Sequence, residues 1–140
     1  MKRKVLFLCT GNSCRSQMAE AIVNFDLGSA WEAVSAGTRP AGFVHPMALA
    51  VLAEAGIEHH ARSKPVDEFR QVELDLVVTV CDSAAEECPA WLGRGKRLHI
   101  GFPDPARATG TDAQVMEVFR TVRDDIRRRV VTALDAFVAA

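Results

Sequence analysis

The sequence predicts an α/β fold, a single-domain three-layer sandwich in which a four-stranded parallel sheet lies between helices. Short apolar runs bounded by turn residues alternate with helical segments along nearly the whole chain, the pattern of βαβ units and their parallel sheets. The 140 residues, 49% hydrophobic and 25% charged with a formal net charge of -1, suffice for one domain with a full core, spanning 1–140. Internal repeats, low-complexity tracts and linkers are absent from the sequence.

The first strand is expected near 4–9, where Val5-Leu-Phe-Leu8 is an unbroken apolar run ending at Cys9. A helix over 15–27, a strand over 31–36 and a helix over 46–56 follow, with the Pro and Gly cluster at 37–42 read as a loop. A short helix is expected over 66–71, then a buried strand in the β-branched run Asp75-Leu-Val-Val-Thr-Val80. Next come a helix after Asp82, a fourth strand over Arg97-Leu-His-Ile100, a loop over 101–110 and a long amphipathic helix over 112–138. Ligands of a doubly wound sheet bind beyond the carboxyl ends of its strands, where Cys9, Cys81 and Asp104 all emerge.

Several functions are disfavoured. No apolar stretch approaches the roughly 20 residues of a membrane span. Met1-Lys-Arg-Lys4 leads directly into a strand without a cleavage signature, so a cytoplasmic protein away from the membrane is expected. Arg120, Arg123 and the Arg127 to Arg129 run are interleaved with Asp124 and Asp125, which reads as a solvated helix face and not a nucleic-acid surface. His45, His59, His60 and His99 lack the spacing of a metal site or catalytic pair, and turn, surface or core roles are expected for them. Trp31 and Trp91 read as packing residues. No bound cofactor, no metal and a monomer are expected.

The chemistry concentrates in Cys9-Thr-Gly-Asn-Ser-Cys-Arg-Ser16. Thr10, Gly11, Asn12, Ser13, Cys14, Arg15 and Ser16 make a strand-to-helix turn, whose free backbone N–H groups at a helix N-terminus suit an oxyanion. The helix dipole also lowers the pKa of a thiol placed there, so Cys9 is expected to be a thiolate nucleophile. Gly11 is expected to permit the tight turn, and Arg15 to supply a planar bidentate donor. Cys14 is expected to be inert packing. Asp104, an Asp before Pro, is a common turn element when taken alone.

The second motif, Cys81-Asp-Ser-Ala-Ala-Glu-Glu-Cys88-Pro89, starts at the same edge of the sheet. In a cytoplasmic chain, paired cysteines suggest redox or metal chemistry. A zinc site from Cys9, Cys14, Cys81 and Cys88 would lack close C-x2-C pairs and would sacrifice the oxyanion loop, so redox exchange fits better.

A strand-Cys-x5-Arg-Ser-helix arrangement near the N-terminus resembles the phosphate-binding loop of the low-molecular-weight protein tyrosine phosphatases, in which Ser16 would hydrogen-bond the thiolate. With the second motif, Ser35-Ala-Gly37 and Phe102-Pro-Asp-Pro-Ala106, nearly the whole chain resembles the thioredoxin-coupled arsenate reductases built on that fold. The resemblance implies that Cys9 attacks arsenate held by Arg15 and the loop amides, with Asp104 as general acid. It further implies that Cys81 then attacks Cys9, that Cys88 takes over the disulfide, and that reduced thioredoxin restores the thiols. Some members bind potassium through positions resembling Asn12, Glu20, Ser35 and an Asp. Lys64 stands at the last of these, so its ammonium is expected to pair with Glu20 and potassium to matter little.

A low-molecular-weight tyrosine phosphatase is the main alternative, since the first motif would serve phosphocysteine chemistry too. Against it, the sequence has no Tyr, Ala106 and Arg107 stand where phosphatase relatives usually carry aromatics, and Cys81 and Cys88 go unexplained. Weak activity on small aryl phosphates is still expected. A redox sensor or arsenite-binding module would leave Arg15 and Asp104 without a purpose, and a small-thiol donor would need fewer cysteines than this chain carries. An intact helix holds the Cα atoms of Cys81 and Cys88 roughly 10 Å apart, beyond the limit of about 7 Å for a disulfide. Closing the Cys81–Cys88 bond is therefore expected to lower the helical circular dichroism signal, and an unchanged signal would refute this.

Overall fold

The computed structural model describes residues 2–82, 93 and 95–139. Its central strand is β1 (Arg3–Cys9), in which Val5, Leu6, Phe7 and Leu8 have no exposed surface, as a strand covered on both faces requires. β1 pairs in parallel with β2 (Trp31–Gly37) on one side and β3 (Leu76–Thr79) on the other, and β3 pairs in parallel with β4 (Lys96–His99). The sheet order is β2-β1-β3-β4, so the expected four-stranded parallel sheet is present.

Alternation along β1 divides the core. Val5 and Phe7 join the larger apolar cluster, under α1 (Arg15–Asp26), α2 (Pro46–Glu54) and α3 (Asp112–Ala139). Leu6 and Leu8 face the other way, onto Ala36, Leu74 and Val77, with Val66, Phe69 and Val72 packed against them. The helix expected at 66–71 on this face is only a 3-10 turn, Val66–Phe69. Apolar residues three apart at Val66, Phe69 and Val72 match the three-residue period of that helix, and Pro65 is extended just before it. The fourth strand lies one residue earlier than expected, and all four of its residues are exposed.

α3 buries Phe119, Val122, Ile126, Val130 and Leu134, one stripe at helical spacing. Its arginines are largely engaged within the fold. Arg120 forms an ion pair with Glu54, Arg123 donates to Val51 O (2.8 Å), and Arg127 pairs with Asp26 at 2.6 Å, tying α3 to α2 and α1. Trp31 is buried and packs 5.7 Å from the Phe137 ring, as a packing residue should. The helix expected after Asp82, Trp91 and Cys88 lie outside the described residues. Among the described residues no helix is long and apolar enough to cross a membrane.

Because Ile126 is wholly buried, Ile126→Ala should cost about 2–5 kcal/mol in urea unfolding. Arg128→Ala, at a side chain 76% exposed, should stay within about 0.5 kcal/mol of wild type.

Candidate active site

The turn from β1 into α1 is held from outside by the segment after β2. Thr10 O accepts from Arg39 N–H (2.9 Å), Gly11 O from Ala41 N–H (2.8 Å) and Ser13 O from His45 N–H (3.0 Å). Each trans peptide places its N–H opposite its C=O, so engaging these carbonyls outward turns the following N–H groups inward. The Cys14 side chain makes no capping hydrogen bond at the N-terminus of α1. Gly37, at the end of β2, is required by close approach: a Cβ there would lie 2.4 Å from Thr10 O and 3.0 Å from Asn12 N.

The turn's left-handed residue is Asn12 (φ 48°) and not Gly11, which has a negative φ. Asn tolerates this region, and here its buried side chain locks it. Asn12 Oδ1 accepts from Lys64 N–H (2.9 Å) and from Gln17 Nε2 (3.1 Å), while Nδ2 donates to Ser16 Oγ (2.8 Å). So fixed, Asn12 N–H donates to Cys9 Sγ at 3.2 Å. Ser16 Oγ lies 2.9 Å from the same sulfur and, already receiving from Asn12, has its own hydrogen to give. The Asn12 N–H and the Ser16 hydroxyl therefore converge on the Cys9 sulfur.

Above the sulfur opens a pocket of about 240 Å³ lined by Cys9, Gly11, Ser13, Cys14, Arg15 and Asp104, with Phe43, His45 and Ala106 at its rim. Arg15 is 3% exposed, donates from Nη1 to Phe102 O (3.2 Å), and has Nη2 3.8 Å from Asp104 Oδ2. The other Asp104 oxygen accepts from Ala106 N–H (3.0 Å), so the turn-forming role holds as well. Of the loop residues singled out in the sequence, Asn12 and Ser16 are buried behind the pocket, and Thr10 serves through its carbonyl. Cys14 is free and buried, and its thiol is pushed up to about 12 by burial first and then by the charges at Asp104 and Cys9. A thiol so protonated is a poor nucleophile, in keeping with inert packing.

Cys81 follows β3. Val80 N–H donates to Leu8 O (2.9 Å), so Cys81 leaves the sheet beside the strand end that carries Cys9. Cys81 is disulfide-bonded, whereas Cys9 is free. Two residues escaped the sequence reading. His45 lines the pocket and accepts from Met47 N–H to cap α2, a role signalled by Pro46 after it. Gln17, wholly buried, bridges Asn12 to Arg62 O (2.9 Å) and meets His59 Nε2 at 2.7 Å, which no local pattern announces.

The family model for low molecular weight phosphotyrosine protein phosphatase matches residues 4–139. The chain belongs to this family. An arsenate reductase of Halalkalibacterium halodurans is 46% identical over 132 residues, 94% of each chain. A solved arsenate reductase in its phosphate binding state superposes with a TM-score of 0.73 at 32% identity, covering 96% of this chain and 98% of the other. A thioredoxin-dependent arsenate reductase of Corynebacterium glutamicum gives a TM-score of 0.65 at 28% identity, over 96% of this chain and 63% of its own.

Behind this low-molecular-weight phosphatase loop lies a buried charge cluster. Lys64 Nζ is 3.7 Å from Glu20 Oε1, the expected pair, and Ser35 Oγ donates to the same oxygen (2.9 Å). His59 Nε2 is 3.7 Å from Glu20 Oε2. Burial pushes the Glu20 carboxyl up, against Lys64 and Ser35, and pushes the Lys64 ammonium down, against Glu20. A carboxylate whose pKa is raised by folding loses stability as pH climbs through that value, and Lys64 is the chief restraint on the rise. Lys64→Met should therefore be destabilised by about 3 kcal/mol at pH 8, with the deficit shrinking as the pH is lowered toward 5 in urea unfolding.

Proposed function

We propose that this protein is an arsenate reductase that passes oxidation along Cys9, Cys81 and Cys88 and is recycled by thioredoxin. One juxtaposition carries the reading. A free Cys9 with two donors on its sulfur sits under an oxyanion pocket, and a disulfide-bonded Cys81 leaves the adjacent strand end. Relatives named arsenate reductase, one at 46% identity and one thioredoxin-dependent, support it.

The Cys9 thiolate attacks arsenic in arsenate bound by Arg15 and the loop amides. Asp104, as general acid, gives a proton to the departing oxygen, which leaves as water. Cys81 thiolate then attacks Cys9 Sγ; the As–S electron pair moves onto arsenic, which falls from As(V) to As(III) and departs as arsenite. The Cys9–Cys81 disulfide so formed is attacked at Cys81 by Cys88 thiolate, expelling Cys9 thiolate and leaving Cys81–Cys88. Thioredoxin's two thiols return this pair to the reduced state. The cycle suits a monomeric protein in the reducing cytoplasm and needs no bound cofactor or metal.

The alternative, phosphotyrosine hydrolysis, draws support from the family model and the shared loop. A weak aryl phosphatase side activity is expected on either reading, so the ratio of the two activities discriminates. Arsenate-dependent NADPH consumption with thioredoxin and thioredoxin reductase should be sustained for wild type and should fall to about one turnover for Cys88→Ser. No consumption by wild type would reject thioredoxin-coupled reduction.

A further inference from the structure

Arg129 of α3 lays its guanidinium over the Phe102 ring, 4.7 Å from the centroid. Its Nη1 also donates to Gly101 O (3.1 Å) and is held 3.2 Å from Asp125 Oδ2. A planar guanidinium can stack on a ring while its in-plane N–H groups donate sideways, so one side chain grips both ring and main chain of this step. Phe102 is 1% exposed, and its N–H donates to Val80 O (3.2 Å), at the end of β3. Gly101 has no slack, since a Cβ there would lie 3.0 Å from His99 Nε2 and 3.1 Å from Cys81 O.

The step gripped in this way carries the Phe102 carbonyl that receives Arg15 Nη1 (3.2 Å), and Asp104 follows two residues later. Arg129 itself lies outside the pocket lining. We propose that Arg129 is a positioning residue: by clamping Gly101–Phe102 to α3, it fixes the carbonyl that orients the Arg15 guanidinium. It thereby sets how tightly the loop holds a tetrahedral oxyanion. Its kinetic readout rests on the arsenate reductase reading, whereas its binding readout does not.

The test compares wild type with Arg129→Ala and Arg129→Lys in three measurements: Tm, the Kd for inorganic phosphate by calorimetry, and KM and kcat for arsenate. Arg129→Ala should raise the phosphate Kd and the arsenate KM together by about fivefold, with kcat changed by less than about twofold. Arg129→Lys, which keeps a cation over the ring, should recover much of that loss. A purely structural role would lower Tm and leave the phosphate Kd of the folded variant at its wild-type value, which overturns the proposal. Should the Ala variant not fold, Arg129→Gln carries the test: a raised phosphate Kd supports the clamp, and a wild-type Kd overturns it. Wild type that binds phosphate but does not reduce arsenate rejects the activity, while the Kd comparison still decides the role of Arg129.

Discussion

Everything at the pocket depends on the left-handed backbone of Asn12. A non-glycine residue at φ 48° is held there only if its surroundings over-determine it. The Asn12 side chain is fixed by a main-chain N–H from Lys64, by Gln17 and by Ser16, all beyond reach of water. The two contacts on Cys9 follow from that one conformation: the Asn12 N–H directly, and the Ser16 hydroxyl because the Asn12 amide holds it 2.9 Å from the sulfur. The Cys9 sulfur is thus held by residues that lie behind the pocket and not in its lining.

Two further supports reach the same place from different layers. From the β2 side, Gly37 lets the strand end lie against Thr10 O and Asn12 N without a Cβ. From the α3 side, Arg129 and Phe102 hold the carbonyl beneath Arg15. Between them the sheet sets the register, Cys9 opposite Gly37 and Leu8 opposite Thr79, so the pocket is made where three independent packing surfaces meet.

Much of this was legible in the chain. Val5-Leu-Phe-Leu8 announces a buried strand, and Cys9 and Arg15 declare themselves by residue type and spacing. Each is a local signal. Gly11 is the residue of this loop whose type suggests a tight turn, yet the left-handed position falls to Asn12 through long-range partners at residues 62–64, invisible to any local window. The same holds for Gln17 and Arg129, whose partners lie 45 and 28 residues away. The segment 66–71 is ambiguous for a different reason, since a three-residue apolar spacing fits both a short α-helix and the 3-10 turn that forms.

The alternation of β1 separates two tasks in one strand. Among the described residues, Phe7 and Cys9 belong to the cluster roofed by three α-helices, whereas Leu6 and Leu8 rest on a smaller apolar layer that includes Val66 and Phe69 of the 3-10 turn. Successive residues of this strand therefore belong to two separate apolar layers, and Cys9 shares its layer with α1, α2 and α3. A change of volume beneath the helices is therefore transmitted to the floor of the pocket along the same face of the strand that carries the sulfur.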